Sequence, residues 1–331
     1  MSLTQWIPKL AGQQVMVIGD IILDEYLIGK ATRLSREAPV PVLEFEARRL
    51  IPGGAANPAA NIVALGSAAI QVGVIGSDNA ATTLRQILQV RDIDIGGLMV
   101  DPGRPTTVKS RTMAQMGLRF PQQVARIDTL SREPINAVVE RRVRSFIHEN
   151  LVDVAAVLMS DYHIGLLTPS LVETMLRLSQ DHNVLLTADA QGYLDKYAGF
   201  ALVKCNADEA RRFLRRDLRS NADFAEAARE LCQGLGLTGG MVVTRGADGA
   251  TLAMCGGEVH HCPAPSVTDV YDTVGAGDTM IAVLTLAAAA GVPYPEAVTL
   301  ANTASGIVVR RVGNYTPSPD ELRHAITAQN M

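Results

Sequence analysis

QVMVIGD at residues 14–20, together with AANPAANIVALG at 55–66 and IQVGVIG at 70–76, decides the fold class. The first and third stretches are short apolar runs that end in glycine or Gly-Asp, which is typical of buried parallel strands at their carboxyl ends. The second is a small-residue helix that Gly66 stops, and a further helix is predicted from about Asn79 to Val90. A strand and a helix in alternation predict an α/β fold with a mostly parallel sheet.

The same alternation returns in the second half of the chain. Its strands are VAAVLMSDY (154–162), VLLTAD (184–189), FALVKCN (200–206) and GGMVVTRG (239–246), with a helix near 170–180. Ligands of open α/β sheets bind at the carboxyl ends of the strands. The polar residues at these ends are therefore candidates for one shared rim, although each could simply cap a helix: Asp20, Asp161, Asp189, Asn206 and Arg245.

Two segments interrupt the alternation, at 25–50 and at about 98–127. Both are rich in β-branched and alternating residues, which predicts strands outside the main sheet. These strands could form a lid over the crevice or a second small sheet for dimer contact. An exposed sheet edge often pairs between subunits, so a homodimer through the lid is expected.

Composition narrows the class of protein. Of the 331 residues, 47% are apolar and 19% charged, with a net charge of −4, so bulk charge implies neither a nucleic-acid nor a membrane partner. The four cysteines are scattered without a C-x-x-C pair, which argues against a zinc site and a disulfide framework. The start has no leader pattern and no apolar run reaches the length of a membrane span, so a cytoplasmic protein is expected.

YDTVGAGDTM at 271–280 precedes the apolar helix IAVLTLAAAAG. A turn of small residues at a helix N-terminus presents unpaired N–H groups to an anion such as phosphate. Asp278 would repel that anion unless it takes a proton from a hydroxyl that attacks phosphorus. The alternative is that Asp272 and Asp278 merely cap the helix. Neither the dinucleotide fingerprint nor the P-loop pattern is present.

DTVGAGDT at 272–279 resembles the C-terminal signature of the ribokinase-like (PfkB) sugar kinases, and PGGAANPAANIVALG at 52–66 resembles their N-terminal signature. The two motifs have the expected order and separation, and the resemblance covers nearly the whole chain. It implies one domain over residues 1–331 with a ribokinase-like three-layer α/β sandwich and a small β lid. It also implies ATP and Mg²⁺, and leaves open a monovalent cation such as K⁺.

The resemblance assigns roles to individual residues. Asp278 is the implied catalytic base, with the amides of Gly275, Ala276 and Gly277 as the anion hole. The implied nucleotide and magnesium side is Asn206, Glu209, Thr244, Arg245, Gly246, Gly249, Asp272 and Asn302, with Glu209 reaching the metal through water. The implied sugar side is Asp24, Gly53, Gly54 and Asn57, and glycines there would let backbone approach a polyol closely.

Within the family, GDIILDEYLIGKATRLSREAPVPVLEFE (19–46) and LMSDYHIG (158–165) are similar to the heptose 7-phosphate kinases of ADP-heptose synthesis. This implies phosphorylation of the anomeric hydroxyl of the sugar phosphate. A ribokinase-like or phosphofructokinase-like enzyme is the alternative, although GGAAN lacks the lysine and extra glycine of GGKGAN. A non-catalytic nucleotide-binding protein of this fold is a third possibility. The presence of Asp278 and of the turn Gly275–Ala276–Gly277, called the anion turn below, argues against it.

A phosphorylated substrate needs cations, because guanidinium and ammonium groups bind phosphate. The lid segments supply Arg33, Arg36, Lys109, Arg111 and Arg126. Lys109 and Arg111 are favoured, since they alternate in a predicted strand and share one face; the alternative is that both are ordinary solvated surface cations. Asp161 is a further predicted substrate-binding residue. Relatives often carry lysines where this chain has Ile164 and Gln191, which puts phosphate coordination near Asp161 and Asp189 in doubt.

Overall fold

The computed structural model describes residues 3–115, 121–267 and 269–329. Nine strands build a large sheet: β1 (Gln14–Gly19), β4 (Ala68–Ile75), β5 (Asp94–Val100), β8 (Ala156–Ser160), β9 (Leu185–Asp189), β10 (Leu202–Asn206), β11 (Gly240–Thr244), β12 (Ala250–Met254) and β13 (Val259–Cys262). Four more build a small sheet: β2 (Ile21–Leu34), β3 (Pro41–Gly54), β6 (Val108–Gln115) and β7 (Gln122–Thr129).

Helices follow most strands of the large sheet. They are α1 (Ala56–Ala64), α2 (Asn79–Gln89), α3 (Ala137–Asn150), α4 (Pro169–His182), α5 (Ala207–Leu214), α6 (Asn221–Gly234), α7 (Ala276–Ala289), α8 (Tyr294–Val308) and α9 (Pro319–Gln329). Short 3₁₀ helices lie at Leu3–Leu10, Leu194–Tyr197 and Gly246–Asp248. None of the helices in the described ranges is long and apolar enough to cross a membrane.

The large sheet has the order β13-β12-β11-β10-β9-β8-β1-β4-β5. All pairs from β11 to β5 are parallel, whereas β12 and β13 are antiparallel to their neighbours. Parallel strands bury both faces, which explains why they are continuous apolar runs in the sequence. One hydrophobic core lies between the sheet and α1, α2, α7, α8 and α9, and a second lies between the other face and α3 to α6. The predicted three-layer α/β sandwich is confirmed.

The small sheet has the order β3-β2-β6-β7 and forms the predicted β lid. Its first two strands begin earlier and end later than the predicted segment 25–50. The predicted start of the second segment, about residue 98, was wrong. Residues 98–100 pair with β4 at the edge of the large sheet. Their apolar side chains continue a buried parallel strand and so do not belong to the lid. Part of this predicted segment, residues 116–120, lies outside the described residues.

Candidate active site

The turn at the start of α7 lies above the carboxyl ends of the parallel strands. Gly275 precedes the helix with a φ of +82°, a backbone conformation that glycine adopts without strain. A β-carbon on Gly275 would lie 2.9 Å from both Asn57 Nδ2 and Asn314 Oδ1. A β-carbon on Gly277 would lie 3.3 Å from Lys204 Nζ. The absence of side chains therefore leaves the amides of this turn close to polar groups from three other segments.

Asp278 lies in the first turn of α7 and is buried. Its Oδ1 accepts a hydrogen bond from the Tyr162 hydroxyl at 2.6 Å, and its Oδ2 accepts one from Asn57 Nδ2 at 2.8 Å. Burial raises the pKa of Asp278 to about 6, although these two hydrogen bonds favour the charged form. A carboxyl group with this pKa can accept a proton near neutral pH.

Asn57 belongs to a network of neutral hydrogen bonds between α1 and α7. Asn61 Nδ2 donates to the backbone oxygen of Asn57 at 2.9 Å and to its Oδ1 at 3.2 Å. Thr279 Oγ1 in turn donates to Asn61 Oδ1 at 3.0 Å. Sequence reasoning predicted that Asn57 faces the sugar, whereas here its amide donates to Asp278. The small residues of both helices permit this close approach.

Lys204 and Asp189 form a buried ion pair beside the anion turn, with Nζ and Oδ1 2.6 Å apart. The two residues are register partners on adjacent parallel strands, β10 and β9. Burial disfavours the ammonium, but Asp189 outweighs it and raises the pKa of Lys204, which therefore stays charged. Sequence reasoning missed Lys204. A lysine within the apolar strand FALVKCN, one strand away from Asp189, was the available signal.

The predicted sugar side is organised around Asp24 on β2. Its Oδ1 lies 2.5 Å from Arg111 Nη1 on β6, and its Oδ2 accepts a hydrogen bond from Asn314 Nδ2 at 2.9 Å. A β-carbon on Gly53 would collide with Asp24 Oδ2, at 2.1 Å, and Gly54 has a φ of +56°. Arg111 is therefore an internal partner of Asp24, and its predicted role in phosphate binding stays a prediction.

Asn314 links this side to the anion turn and was missed by sequence reasoning. Its Nδ2 also donates to the backbone oxygen of Pro52 at 2.9 Å. Both partners of Nδ2 are acceptors, which fixes the orientation of the amide. The Oδ1 atom is buried, has no hydrogen-bond partner among the residues that the structure describes, and faces Gly275. An acceptor at this position could receive a hydroxyl group.

Lys109 is the second predicted cation of the lid. Its Nζ lies 5.0 Å from the centre of the Tyr162 ring, so it faces the same crevice as Asp278. Burial lowers the pKa of Lys109, partly opposed by Asp24. In contrast, the exposed Arg126 pairs with Asp128 on its own strand, at 2.8 Å.

Two of the predicted strand-end acids are occupied within the protein. The Asp161 carboxylate contacts Lys196 Nζ at 2.6 Å and the Tyr197 hydroxyl at 2.5 Å, both from the 3₁₀ helix after β9. Burial opposes ionisation of Asp161, but Lys196 outweighs it, and the pKa lies below its ordinary value. Asp20 accepts backbone hydrogen bonds from Tyr162 and Ile164. Substrate binding by Asp161 thus stays a prediction.

The predicted nucleotide side begins at α5. Asn206 caps this helix by accepting a bond from the Glu209 amide at 2.9 Å, while Glu209 Oε2 accepts one from the Asn206 amide at 2.7 Å. Burial raises the pKa of Glu209 above its ordinary value. Only one carboxylate oxygen is used in this capping box, so Oε1 is available to a water molecule. The geometry leaves both readings open, a helix cap and a water-mediated magnesium ligand.

The loop after β11 packs mostly against protein. Arg245 Nη1 donates to Asn221 Oδ1 at 2.6 Å, and its guanidinium lies 5.0 Å from the Phe224 ring centre. Thr244 donates to a backbone oxygen, and Gly246 and Gly249 have φ angles of +61° and +81°. A β-carbon on Gly249 would collide with the Cys262 oxygen. These contacts give the loop its shape, and its role toward a nucleotide stays a prediction.

Asn302 and Asp272 also hold backbone segments. Asn302 Nδ2 donates to the Cys262 oxygen at 2.8 Å, which joins α8 to the end of β13. Asp272 accepts from the amides of Val274 and Gly313, at 3.0 and 2.9 Å. Asp272 therefore joins the anion turn to the segment that carries Asn314. Its predicted position on the nucleotide side has no direct support from these contacts.

The sequence profile of the pfkB family carbohydrate kinases matches residues 13–321. The chain belongs to this family. A PfkB carbohydrate kinase transfers phosphate to a hydroxyl group of a sugar, so the protein is a sugar kinase. The enzyme class predicted from the two signatures is thereby confirmed.

Curated relatives of this PfkB kinase carry the name bifunctional protein HldE. The protein from Geobacter metallireducens is 38% identical over 93% of this chain, and the one from Hyphomonas neptunium is 36% identical over 96%. The chain spans 61% and 64% of the lengths of these two proteins. The activity of the whole HldE proteins therefore cannot be assigned to this chain from the similarity alone.

Solved structures share the fold. The crystal structure of phosphofructokinase-2 from Escherichia coli in complex with substrates and products has a TM-score of 0.79 at 19% identity and covers 96% of this chain and 99% of that one. The Arabidopsis thaliana ribokinase complexed with ribose and ATP has a TM-score of 0.73 at 18% identity, with coverage of 96% and 99%. At this identity the likeness shows the fold alone, and it confirms the ribokinase-like class.

Proposed function

We propose that this PfkB kinase uses ATP to phosphorylate the anomeric O1 of D-glycero-β-D-manno-heptose 7-phosphate. The product would be the 1,7-bisphosphate, used for ADP-heptose and the core of lipopolysaccharide. One observation supports the chemistry above all: Asp278, with a pKa of about 6, lies buried at the glycine turn of α7 between two neutral donors. The identity of the sugar rests on the motifs shared with heptose 7-phosphate kinases and on the HldE relatives.

In the proposed reaction Asp278 accepts the proton of the sugar hydroxyl, and the oxygen of that hydroxyl attacks the γ-phosphorus of ATP. The bond between the γ-phosphorus and the bridging oxygen breaks, and ADP leaves. The amides of Gly275, Ala276 and Gly277 hold the charge of the transferred group, since a helix N-terminus favours anions. Lys204, 3.3 Å from the position of a Gly277 β-carbon, adds a positive charge beside them.

Magnesium and the nucleotide are assigned to the carboxyl ends of β10 and β11. Mg²⁺ at phosphate sites commonly uses one or two carboxylates, with waters and phosphate oxygens as its other ligands. Oε1 of Glu209, which the capping box does not use, suits a water-mediated contact of this kind. No cluster of three or more His, Cys, Asp or Glu side chains that could hold a metal directly occurs in the described ranges. Bound metal would neutralise phosphate charge, while Asn206 positions Glu209. A monovalent cation such as K⁺ is proposed as an additional activator.

The sugar would lie between Asp24 and the anion turn. Asp24 is an acceptor for sugar hydroxyls. A second acceptor nearby is Oδ1 of Asn314, which has no partner within the described part of the chain. Gly53 lets the backbone approach the sugar closely, because any side chain there would displace Asp24. We assign the 7-phosphate to Lys109, which faces the crevice, more strongly than to Arg111, which Asp24 already neutralises.

The function is tested by ADP release with ATP, Mg²⁺ and purified sugars, followed by ³¹P NMR of the product. We expect turnover with the heptose 7-phosphate and a new anomeric phosphate signal. Turnover with ribose or fructose 1-phosphate, but not with the heptose phosphate, would contradict the substrate and favour the ribokinase-like or phosphofructokinase-like alternative. Asp278→Asn should lower kcat by about 10²–10⁴-fold while calorimetry still detects sugar binding. Asp208→Asn, an exposed acid in the first turn of α5, is the matched control.

We further propose that the protein acts in the cytoplasm as a homodimer joined through the lid. Five large apolar residues in the described part of the lid segments are exposed: Leu34, Val40, Phe45, Val124 and Ile127. Exposed apolar side chains mark protein contacts where they form a contiguous patch, and we propose that these residues form one between subunits. The PfkB structure of phosphofructokinase-2 in its inhibited form is a tetramer, which shows that kinases of this fold assemble.

A further inference from the structure

Tyr162 has no part in the reaction described above, yet its hydroxyl donates a 2.6 Å hydrogen bond to Oδ1 of Asp278. We propose that Tyr162 is a positioning residue that holds the Asp278 carboxylate in the orientation needed to accept the proton of the sugar hydroxyl. The proposal rests on the proposed function, in which Asp278 is the base. Tyr162 is assigned no contact with the sugar or the phosphate and acts through the Asp278 carboxylate.

The Tyr162 ring is held by the loop that follows β8. Its backbone amide donates to Asp20 Oδ2 at 2.9 Å, and the amide of Ile164 donates to the same oxygen at 3.0 Å. Between them, His163 has a φ of +56°, which is uncommon for a residue other than glycine. A loop held in this conformation by a buried carboxylate gives the phenol a defined position.

The Asp278 carboxylate is held from two sides. Asn57, on α1, binds Oδ2, and the network through Asn61 fixes Asn57 in turn. Tyr162, from the other side of the crevice, binds Oδ1. Rotation of the carboxylate would break one of these bonds, so both oxygens are fixed. Each oxygen still has a second lone pair with which to accept a hydroxyl proton.

The phenol is a donor throughout the working pH range. Burial, followed by the charge of Asp278, raises the pKa of Tyr162 well above its ordinary value, so it stays protonated. A hydrogen bond to the charged form of a carboxyl favours ionisation. The other charged groups that face the pair are Asp189 on β9, Lys204 on β10, Asp24 on β2 and Lys109 on β6. All of them remain when only the hydroxyl of Tyr162 is removed.

The test is Tyr162→Phe, which keeps the ring and its contact with Lys109. We expect the acid limb of kcat/KM to move upward by about one to two pH units, because the ionised carboxylate loses a charge-assisted bond. At the plateau kcat should fall by about tenfold to 10²-fold, with little change in KM for ATP or sugar. Tyr197→Phe removes the same hydroxyl from another buried acid, Asp161, and should leave the acid limb in place.

An unchanged acid limb and plateau kcat in Tyr162→Phe would overturn the proposal. The wild-type protein separates this failure from that of the proposed function, since absence of turnover with every sugar refutes the function alone.

¹³C-carboxyl NMR then decides the role of Tyr162 without turnover. The Asp278 signal, assigned with Asp278→Asn, should titrate at higher pH in Tyr162→Phe, and equal titration overturns the proposal. If Tyr162→Phe does not fold, 3-fluorotyrosine at position 162 replaces it, and its more acidic phenol should move the limb downward; an unmoved limb counts against the role.

Discussion

Among the buried aspartates around the crevice, Asp24, Asp161, Asp189 and Asp278 are distinguished by their partners. Asp24, Asp161 and Asp189 each have a cation within 2.5–2.6 Å: Arg111, Lys196 and Lys204, respectively. Within the described residues Asp278 forms no ion pair and is bound by two neutral donors. An adjacent cation would hold a carboxylate ionised and weaken it as a base, whereas burial with neutral partners raises its pKa. This difference separates Asp278 from the three ion-paired acids. Asp20 also lacks an ion pair among the described residues, but both of its oxygens accept backbone hydrogen bonds from the loop after β8.

The raised pKa of Asp278 predicts the pH dependence of the reaction. Above a pH of about 6 the carboxylate is ionised and can accept a proton, and below it the protonated group cannot. We therefore expect kcat/KM to fall as pH decreases through about 6. Initial rates at saturating ATP between pH 4.5 and 8.5 measure this limb. A kcat/KM that stays constant down to pH 4.5, as an aspartate with the ordinary pKa of about 3.9 would give, would contradict the effect of burial.

At the scale of elements, β9 and β10 present the buried Asp189–Lys204 pair at matched register. Lys204→Met would leave a buried carboxylate without its cation, which costs about 3–5 kcal/mol in unfolding free energy. Asp189→Asn in the same protein should restore much of that loss, because no charge then remains unpaired. Urea unfolding of the single and double variants measures it. If Lys204→Met and the double variant were equally destabilised, the unpaired charge of Asp189 would not be the cause of the lost stability.

The two ends of α7 offer a matched pair of glycines. Gly275 and Gly291 have φ angles of +82° and +72°, so alanine costs backbone strain of about 1–2 kcal/mol at either position. Only Gly275→Ala places a β-carbon against Asn57 and Asn314, since nothing lies within 4 Å at Gly291. We expect both variants to lose stability and only Gly275→Ala to lose turnover, by about 10²-fold. Equal kcat values in the two variants would contradict a role for the close approach.

At the scale of the whole molecule, the exposed apolar residues of the lid predict self-association. Phe45 on β3 is 69% exposed, and Phe45→Glu should shift a lid-mediated dimer toward monomer by placing charge in its interface. Val90, 83% exposed just after α2 and outside the lid, provides the control Val90→Glu. Light scattering after size exclusion measures the mass of each. A monomeric wild type, or a dimer that persists in Phe45→Glu, would contradict the interface.

The extent of sequence-based prediction follows from the range of each interaction. Apolar runs and glycine stops are local, so the parallel strands and the start of α7 were predictable. The boundary of the lid was not predictable. Residues 98–100 have the composition of a strand and could belong to either sheet, and only their pairing with β4 assigns them to the large one. Likewise, Lys109 and Arg111 share a strand face, yet Arg111 neutralises Asp24 while Lys109 faces Tyr162.

The sequence by itself determined the α/β alternation, the glycine turn before α7 and the acid within it, because each is written in neighbouring residues. Tertiary structure alone decided which groups surround that acid. Tyr162 and Asn57 reach Asp278 from 116 and 221 residues away, and Lys204 reaches Asp189 from an adjacent strand. The physical reason is that burial and hydrogen-bond partners set the pKa of a carboxyl group, and both exist only once distant segments have packed together.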